Sequence, residues 1–290
     1  MAALINGISS KTACLYNKEL YMHHSKEEQM LYRHYNDLIQ VSYQRGIPVF
    51  SQFAGLNDME LCFQALQSFY GTHWQEGKHA VFYGGYPEAE RKMICFLPEE
   101  AGDTIDYGAF PICCIQIVPA NKKFSDDLSH RDYLGAVMNL GITRDQVGDI
   151  LVKQKEDDKS LSGKAYLFCQ KDKAGLLAGI TRIRHTTVKA CEVDFSETGW
   201  KPSFTEITGS VSSFRLDSIL SLAAKTSRAQ SLALIQAGSV FLNGRCCTEN
   251  AKKLEAGDVF SVRGYGKFLF DKTNSLSRKG RYHIIVKQYI

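Results

Sequence analysis

The stretch SHRDYLGAVMN, Ser129 to Asn139, gathers residue types that could transfer a phosphoryl group: a His-Arg-Asp triplet followed by an Asn. In a protein-kinase catalytic loop the Asp meets the substrate hydroxyl, and an Asn five residues on holds magnesium, so both serve one triphosphate. Here Asn139 stands seven residues after Asp132. A kinase also needs a Gly-rich nucleotide loop, a strand Lys and a D-F-G triplet. The nearest fragments are Gly84-Gly85 and Asp194-Phe195-Ser196. The triplet therefore reads as the first turn of a helix over Arg131–Leu140, with Asp132 suited to the helix dipole or to a cap. Arg131, Asn139 and Arg144 flank its apolar stripe and are candidates for secondary RNA or partner contacts.

Other chemistry-bearing residues are sparse. His23, His24 and His34 form the one local histidine cluster, and nothing at a recognisable spacing completes a metal site, so no metal is expected. The 9 cysteines include the adjacent pairs Cys113-Cys114 and Cys246-Cys247 but no C-x-x-C. They read as reduced, mostly buried thiols. RGYGKFLF, Arg263 to Phe270, imitates the aromatic octapeptide of an RRM, with Lys267 standing where a base-stacking ring is required. Phe268 and Phe270 are expected in a core, with Arg263 and Lys267 on an outer basic edge.

The elements that must position these residues follow from composition and periodicity. A chain of 290 residues with 44% hydrophobic residues supports two or three domains. No run of 18 apolar residues occurs. The start, MAALINGISSKTACLYNKEL, has neither the basic opening nor the apolar block of a secretory signal, so the cytoplasm is the expected compartment. The net charge of +4 is unevenly spread: residues 209–290 hold 7 Lys and 6 Arg against 3 Asp and 2 Glu, a net +8, and the rest carries −4. A basic module on a mildly acidic body suits a polyanion partner, because each Lys or Arg that neutralises a phosphate releases counterions.

Ser25 to Gly46 has a Ser cap, an acidic first turn, apolar residues at helical spacing and a terminal Gly. Asn57 to Tyr70 repeats the pattern, with Asn57 as the expected cap, so a helical domain is assigned to 1–74. Short apolar runs at Ala80–Tyr83, Met93–Leu97 and Ile112–Val118 follow. With later strands at Asp149–Val152, Ala165–Cys169 and Thr187–Phe195, and a short helix around Lys171–Ile180, they read as one α+β domain, 75–205. SETGWKPSFTEITGS, Ser196 to Ser210, reads as the boundary before a basic module, 209–290.

In that module Phe214–Ala224 and a helix capped by Ser227 form a tight hairpin, Gly238 ends it, and Asn243-Gly244 signals a type I′ turn between strands. Arg215 and Arg228 are placed to project together beside a helix N-terminus, a phosphate cradle. R-L-D at Arg215–Asp217, Ser227-Arg228, L-I-x-x-G at Leu234–Gly238, V-x-x-N-G at Val240–Gly244 and G-D-x-x-x-V at Gly257–Val262 resemble the S4-type RNA-binding domain. That resemblance implies RNA contacts at Arg215, Ser227, Arg228, Gln230 and Asn243.

GGYPEAER (Gly84 to Arg91), SHRDYLGAVMNLGITRDQVGDI, ITGSVSSFRLD and SVRGYGKF extend the likeness to the YlmH family of S4-domain proteins over roughly residues 25 to 290. It implies a helical N-terminal region, an RRM-like α/β sandwich and a C-terminal S4-type domain of two helices on a small β-sheet. It also implies a non-catalytic, cofactor-free RNA-binding protein on structured rRNA and tRNA at the large ribosomal subunit, in ribosome rescue or ribosome-associated quality control. An RNA-modifying enzyme, of the pseudouridine synthase or rRNA methyltransferase kind, is the alternative. The sequence lacks its marks: no G-x-G-x-x-G, and no second R-L-D followed by T-x-G.

Overall fold

The computed structural model describes residues 25–99, 106–121, 125–153, 164–276 and 280–290, with side chains given except at 272–276. Two compact units result, Met1–Thr198 and Gly199–Ile290. Among the described residues no helix is long and apolar enough to cross a membrane. His23 and His24 lie outside the described residues, and no cluster of three or more metal-ligating side chains occurs within them.

In the first unit, α1 (Lys26–Arg45) starts at a capping box in which Ser25 Oγ accepts from Glu28 N and Glu28 Oε2 accepts from Ser25 N. Tyr35, Ile39 and Ser42 share its buried face at helical spacing, and Gly46 closes it with φ +64. Helix α2 (Leu56–Tyr70) is capped at Gly55, whose N–H donates to Asp58; the expected cap, Asn57, lies already inside the helix. Both helices pack on a three-stranded antiparallel sheet of β1 (Val49–Phe50), β2 (Ala80–Tyr83) and β3 (Met93–Phe96), in the order β1-β3-β2. The last two strands, expected in the middle domain, thus belong with the N-terminal helices: Ile94 and Phe96 enter the same core as Tyr35, Ile39 and Leu66. The helical region carries its own small sheet.

The rest of the unit runs β4 (Ile112–Pro119), α3 (His130–Met138), β5 (Val147–Val152), β6 (Ala165–Gln170), α4 (Ala174–Ala178), β7 (Arg182–Ile183), β8 (Thr186–Val193). The sheet order is β5-β6-β4-β8-β7, all antiparallel. Two crossing helices with the first strand at the centre make this the split βαβ sandwich of an RRM. Alternation along the strands gives each face its own set. Cys113, Ile115, Ile117, Leu167 and Cys169 face Tyr133, Val137 and Leu177 of the helices. Tyr166 and Phe168 take the opposite face and are buried there too.

The second unit is a six-stranded antiparallel sheet, β11-β10-β12-β13-β14-β9, with two helices on it. The strands are β9 (Phe204–Val211), β10 (Val240–Leu242), β11 (Arg245–Cys246), β12 (Val259–Val262), β13 (Gly266–Leu276) and β14 (Tyr282–Tyr289). Helices α5 (Leu216–Ala223) and α6 (Arg228–Gln236) bury Leu216, Ile219, Leu220 and Ile235 against Phe260, Phe268 and Phe270. The octapeptide rings Phe268 and Phe270 are core, as expected. One expectation fails: the second half of the boundary segment is strand β9, paired with β14 over eight residues from Phe204↔Tyr289 to Val211↔Tyr282. Its Gly, Ser and Thr content resembled a linker, and only pairing with a strand some 80 residues later in the chain makes it regular.

Candidate nucleic-acid interface

The two arginines on which the basic module was read are joined through a buried carboxylate. Arg215 is the N-cap of α5, and its Nε and Nη2 donate to Asp217 Oδ1 and Oδ2 at 3.1 and 3.0 Å. Asp217 is 5% exposed, and Ser218 Oγ donates to it at 3.4 Å while accepting from Arg228 Nη2 at 2.6 Å. The chain Arg215–Asp217–Ser218–Arg228 thus fixes two guanidinium groups on neighbouring helices. A fork held bidentately keeps its direction, and the Arg215 side chain is still 40% exposed.

Ser227 caps α6 by accepting from Gln230 N at 3.2 Å, leaving the other first-turn N–H groups beside Arg228. Gln230 itself donates to Tyr265 Oη at 3.0 Å, tying α6 to the turn before β13. The helix-to-helix turn is tight because Lys225 adopts φ +52, exposed between the helices.

Sequence reasoning missed Lys252 and Lys253. Leu216 N donates to Lys252 O, Leu254 N to Phe214 O, and Arg215 pairs with Lys253 in an isolated bridge, so this exposed doublet lies alongside the start of α5. The signal was present as the K-K pair in AKKLEAGD, but its neighbour is 38 residues away in sequence and only the fold supplies it.

The remaining residues of the module divide. Asn243 has φ +50 and Gly244 φ +80, the two positive angles of the expected turn. The Asn243 side chain donates to Asp258 Oδ1 and accepts from Val259 N, so it is committed to that turn. Arg263 is exposed, its backbone N–H bonded to Ser239 O. Lys267 is half-buried, with Nζ 4.7 Å from the Tyr289 ring centroid.

In the first unit, the triplet behaves as a helix start. Asp132 Oδ2 accepts from Ser129 N at 2.8 Å and from Ser129 Oγ at 2.7 Å, and Oδ1 accepts from Arg184 at 3.3 Å. The Ser129 hydrogen bonds, with Arg184 nearby, hold its carboxyl below the usual carboxylate range. Arg144 donates to Val147 O and Gly148 O, and burial, with the Arg91 guanidinium beside it, pushes it down to about 10. It braces the entry to β5 and is no free contact. Arg131 and Asn139 are exposed.

The GGYPEAER segment closes the second face of the split βαβ sheet. Gly85 has φ +98, and a Cβ there would lie 2.3 Å from the Phe168 ring. Tyr86 stacks on Phe168 at 5.0 Å, Phe195 packs edge-on to it at 4.9 Å, and Phe195 also meets Tyr166 at 5.6 Å. Asp149 locks this lid by accepting from Tyr86 Oη, Glu90 N and Arg91 N at 2.7 to 3.1 Å. Arg91 then donates to Phe53 O, Arg144 O and Val147 O. The surface on which an RRM stacks bases is therefore occupied by the chain's own rings.

A helical hairpin presenting tethered arginines, on a sheet, preceded by a split βαβ domain, defines a protein built of RNA-binding modules. The family model described as "Putative RNA-binding domain in YlmH" matches residues 107–197, and the S4 domain model matches residues 214–260. Among curated proteins the chain is similar to ribosome-associated protein quality control protein P2 of Bacillus subtilis (strain 168), 28% identical over 206 residues, 70% of this chain and 76% of that one. Among solved structures, cell division protein ylmH from Streptococcus pneumoniae shares 24% identity, with a TM-score of 0.46 over 61% of this chain and 96% of that one. The chain thus carries a domain of the YlmH RNA-binding type followed by an S4 domain.

Proposed function

We propose that the chain is a non-catalytic RNA-binding protein of the cytoplasm that docks on structured ribosomal RNA of the large subunit, with transfer RNA as a further contact, in ribosome rescue or ribosome-associated quality control. The similarity to a protein named for ribosome-associated quality control supports the setting. The observation that carries RNA docking is the Arg215–Asp217–Ser218–Arg228 network. It holds two planar cations in fixed directions at the entrance to α6, flanked by Lys252 and Lys253. This suits a folded phosphate backbone, whose recognition rests on shape and charge more than on base edges. Arg215, Arg228, Lys252 and Lys253 make the phosphate contacts in this reading, Ser227 and Gln230 border them, and Arg263 and Lys267 add basic surface. Asn243 holds the turn.

The test is binding of the full chain to large-subunit ribosomal RNA, refolded, across a salt series, beside the Arg228→Ala variant. Loss of one phosphate contact lowers the slope of log K against log salt by about 1 and the affinity at 0.1 M salt by about eightfold. An unchanged slope removes Arg228 from the interface. Sedimentation with purified large subunits checks the setting, and failure to co-sediment at low salt refutes it.

A further inference from the structure

We propose that a groove on the helical face of the middle domain, between α3 and the β7–β8 hairpin, is a second site for the phosphodiester backbone of RNA; this rests on the reading of the chain as an RNA-binding protein and names where its middle domain takes part.

The groove measures about 560 Å³ and is lined by Arg131, Asp132, Asn139, Thr181, Arg182 and Arg184 over a floor that includes Gly135 and Gly179. Three guanidinium groups face one carboxylate. Asp132 is bound to Ser129 and Arg184, Arg182 uses Nε on Arg184 O at 3.1 Å, and no side chain among the described residues pairs with Arg131. Arg131 and Asn139 are eight residues apart on exposed positions of α3 and its end, about 12 Å along the helix, a span of more than one nucleotide.

Three features single out RNA backbone. First, the sheet face that an RRM offers to bases is closed by Tyr86, Phe168 and Phe195, so contact with RNA falls to another surface. Second, the lining holds no aromatic side chain, whereas protein partners are commonly anchored by buried rings; three planar cations above a floor of glycine, alanine and aliphatic side chains, Leu140, Ile180 and Ile183 among them, fit phosphate oxygens. Third, Arg184 sits at the hairpin tip with φ +52, where Gly or Asn is the relaxed choice. A strained backbone that delivers a guanidinium to a groove is a feature with a use.

The experiment compares the full chain, the Arg131→Ala/Arg182→Ala double variant, Arg184→Gly and Arg228→Ala for binding to refolded large-subunit ribosomal RNA over a salt series, with ultraviolet crosslinking and peptide mapping. The double variant is expected to lower the salt slope by about 2 and the affinity at 0.1 M salt by about 60-fold, two contacts at about eightfold each. Arg184→Gly, which suits the positive φ, should weaken binding without lowering the melting temperature, and crosslinks should map to peptides within 130–140 or 180–185. If Arg228→Ala weakens binding but the double variant keeps the wild-type slope and affinity, the groove proposal is overturned and the RNA reading stands. If the wild-type chain binds no RNA, both fall. Unchanged RNA binding with lost binding of polyglutamate would assign the groove to an acidic polypeptide and overturn the proposal.

Discussion

Replacing Asp217 by Asn separates two accounts of the C-terminal interface by the sign of the effect. Simple electrostatics predicts tighter binding, since one negative charge is removed near the phosphate site, a gain of about 0.5 kcal/mol in a water-like dielectric. The observed geometry predicts the reverse. The carboxylate accepts both prongs of Arg215 at 3.1 and 3.0 Å and, through Ser218, steadies Arg228. An Asn offers one acceptor and turns N–H groups toward N–H groups, so the bidentate grip is lost. Both guanidinium groups must then be ordered by the RNA itself, at about 0.5–1.5 kcal/mol each. Offset by the charge term, the net is about 1.5 kcal/mol, or roughly tenfold weaker binding. Because both cations remain, the salt slope should stay at its wild-type value. Fluorescence anisotropy with refolded large-subunit ribosomal RNA at several salt concentrations reads affinity and slope together. Tighter binding by Asp217→Asn would refute the positioning role, and a slope reduced by a full unit would show that an arginine contact had been lost outright.

Further expectations concern stability and acid–base behaviour. Gly85→Ala places a methyl group 2.3 Å from the Phe168 ring at φ +98, and should cost about 3 kcal/mol in denaturant unfolding of the first unit; a wild-type midpoint would contradict the lid. Tyr86→Phe removes a 2.8 Å hydrogen bond to Asp149 and should cost about 1–2 kcal/mol by the same assay. Arg184→Gly relaxes a positive φ while giving up an exposed ion pair, so the two terms, each about 1 kcal/mol or less, should leave the melting temperature at or above wild type. The Asp132 carboxyl is depressed in the folded chain, so its contribution is complete above its unfolded value and is lost as pH falls through the lower, folded one. Asp132→Asn should therefore flatten the acid limb of a pH–stability curve, and a limb of unchanged steepness would argue against that linkage. ATP hydrolysis that depended on Asp132 would overturn the non-catalytic reading.

What the sequence made legible was what depends on near neighbours. The α5–α6 hairpin, its Ser227 cap, the Asn243-Gly244 turn and the Ser25 capping box are all written within a few residues, so local chemistry names them. The cap of α2 was misplaced by two residues because Gly55 and Asp58 form the box, and a Gly N-cap carries no side-chain signature. Long-range pairing escaped. The apolar runs Ala80–Tyr83 and Met93–Phe96 carry no mark of which sheet they join, and β1, which pairs with the second of them, is only two residues long. The segment that covers Tyr166 and Phe168 escaped too, since Gly85 and Tyr86 stand some 80 residues earlier. At the candidate interface, Arg215 and Arg228 were named from the hairpin alone, whereas Lys252 and Lys253 needed the backbone bonds to Phe214 and Leu216. Arg144 was offered as a contact because its type is usually exposed; the carbonyl groups of Val147 and Gly148 hold it instead.

The ladder between β9 and β14 has a mechanical consequence. Phe204 lies opposite Tyr289, and Ile290 N donates to Ser203 O, so the entry and exit of the C-terminal unit are side by side at one end of two antiparallel strands. Tension applied at residues 203 and 290 would load these rungs one after another, as a zipper is opened, rather than all at once in shear. Such a geometry yields at low force. A tweezers measurement pulling from these two positions should see the strands peel from Phe204 toward Val211 before the helical hairpin gives way.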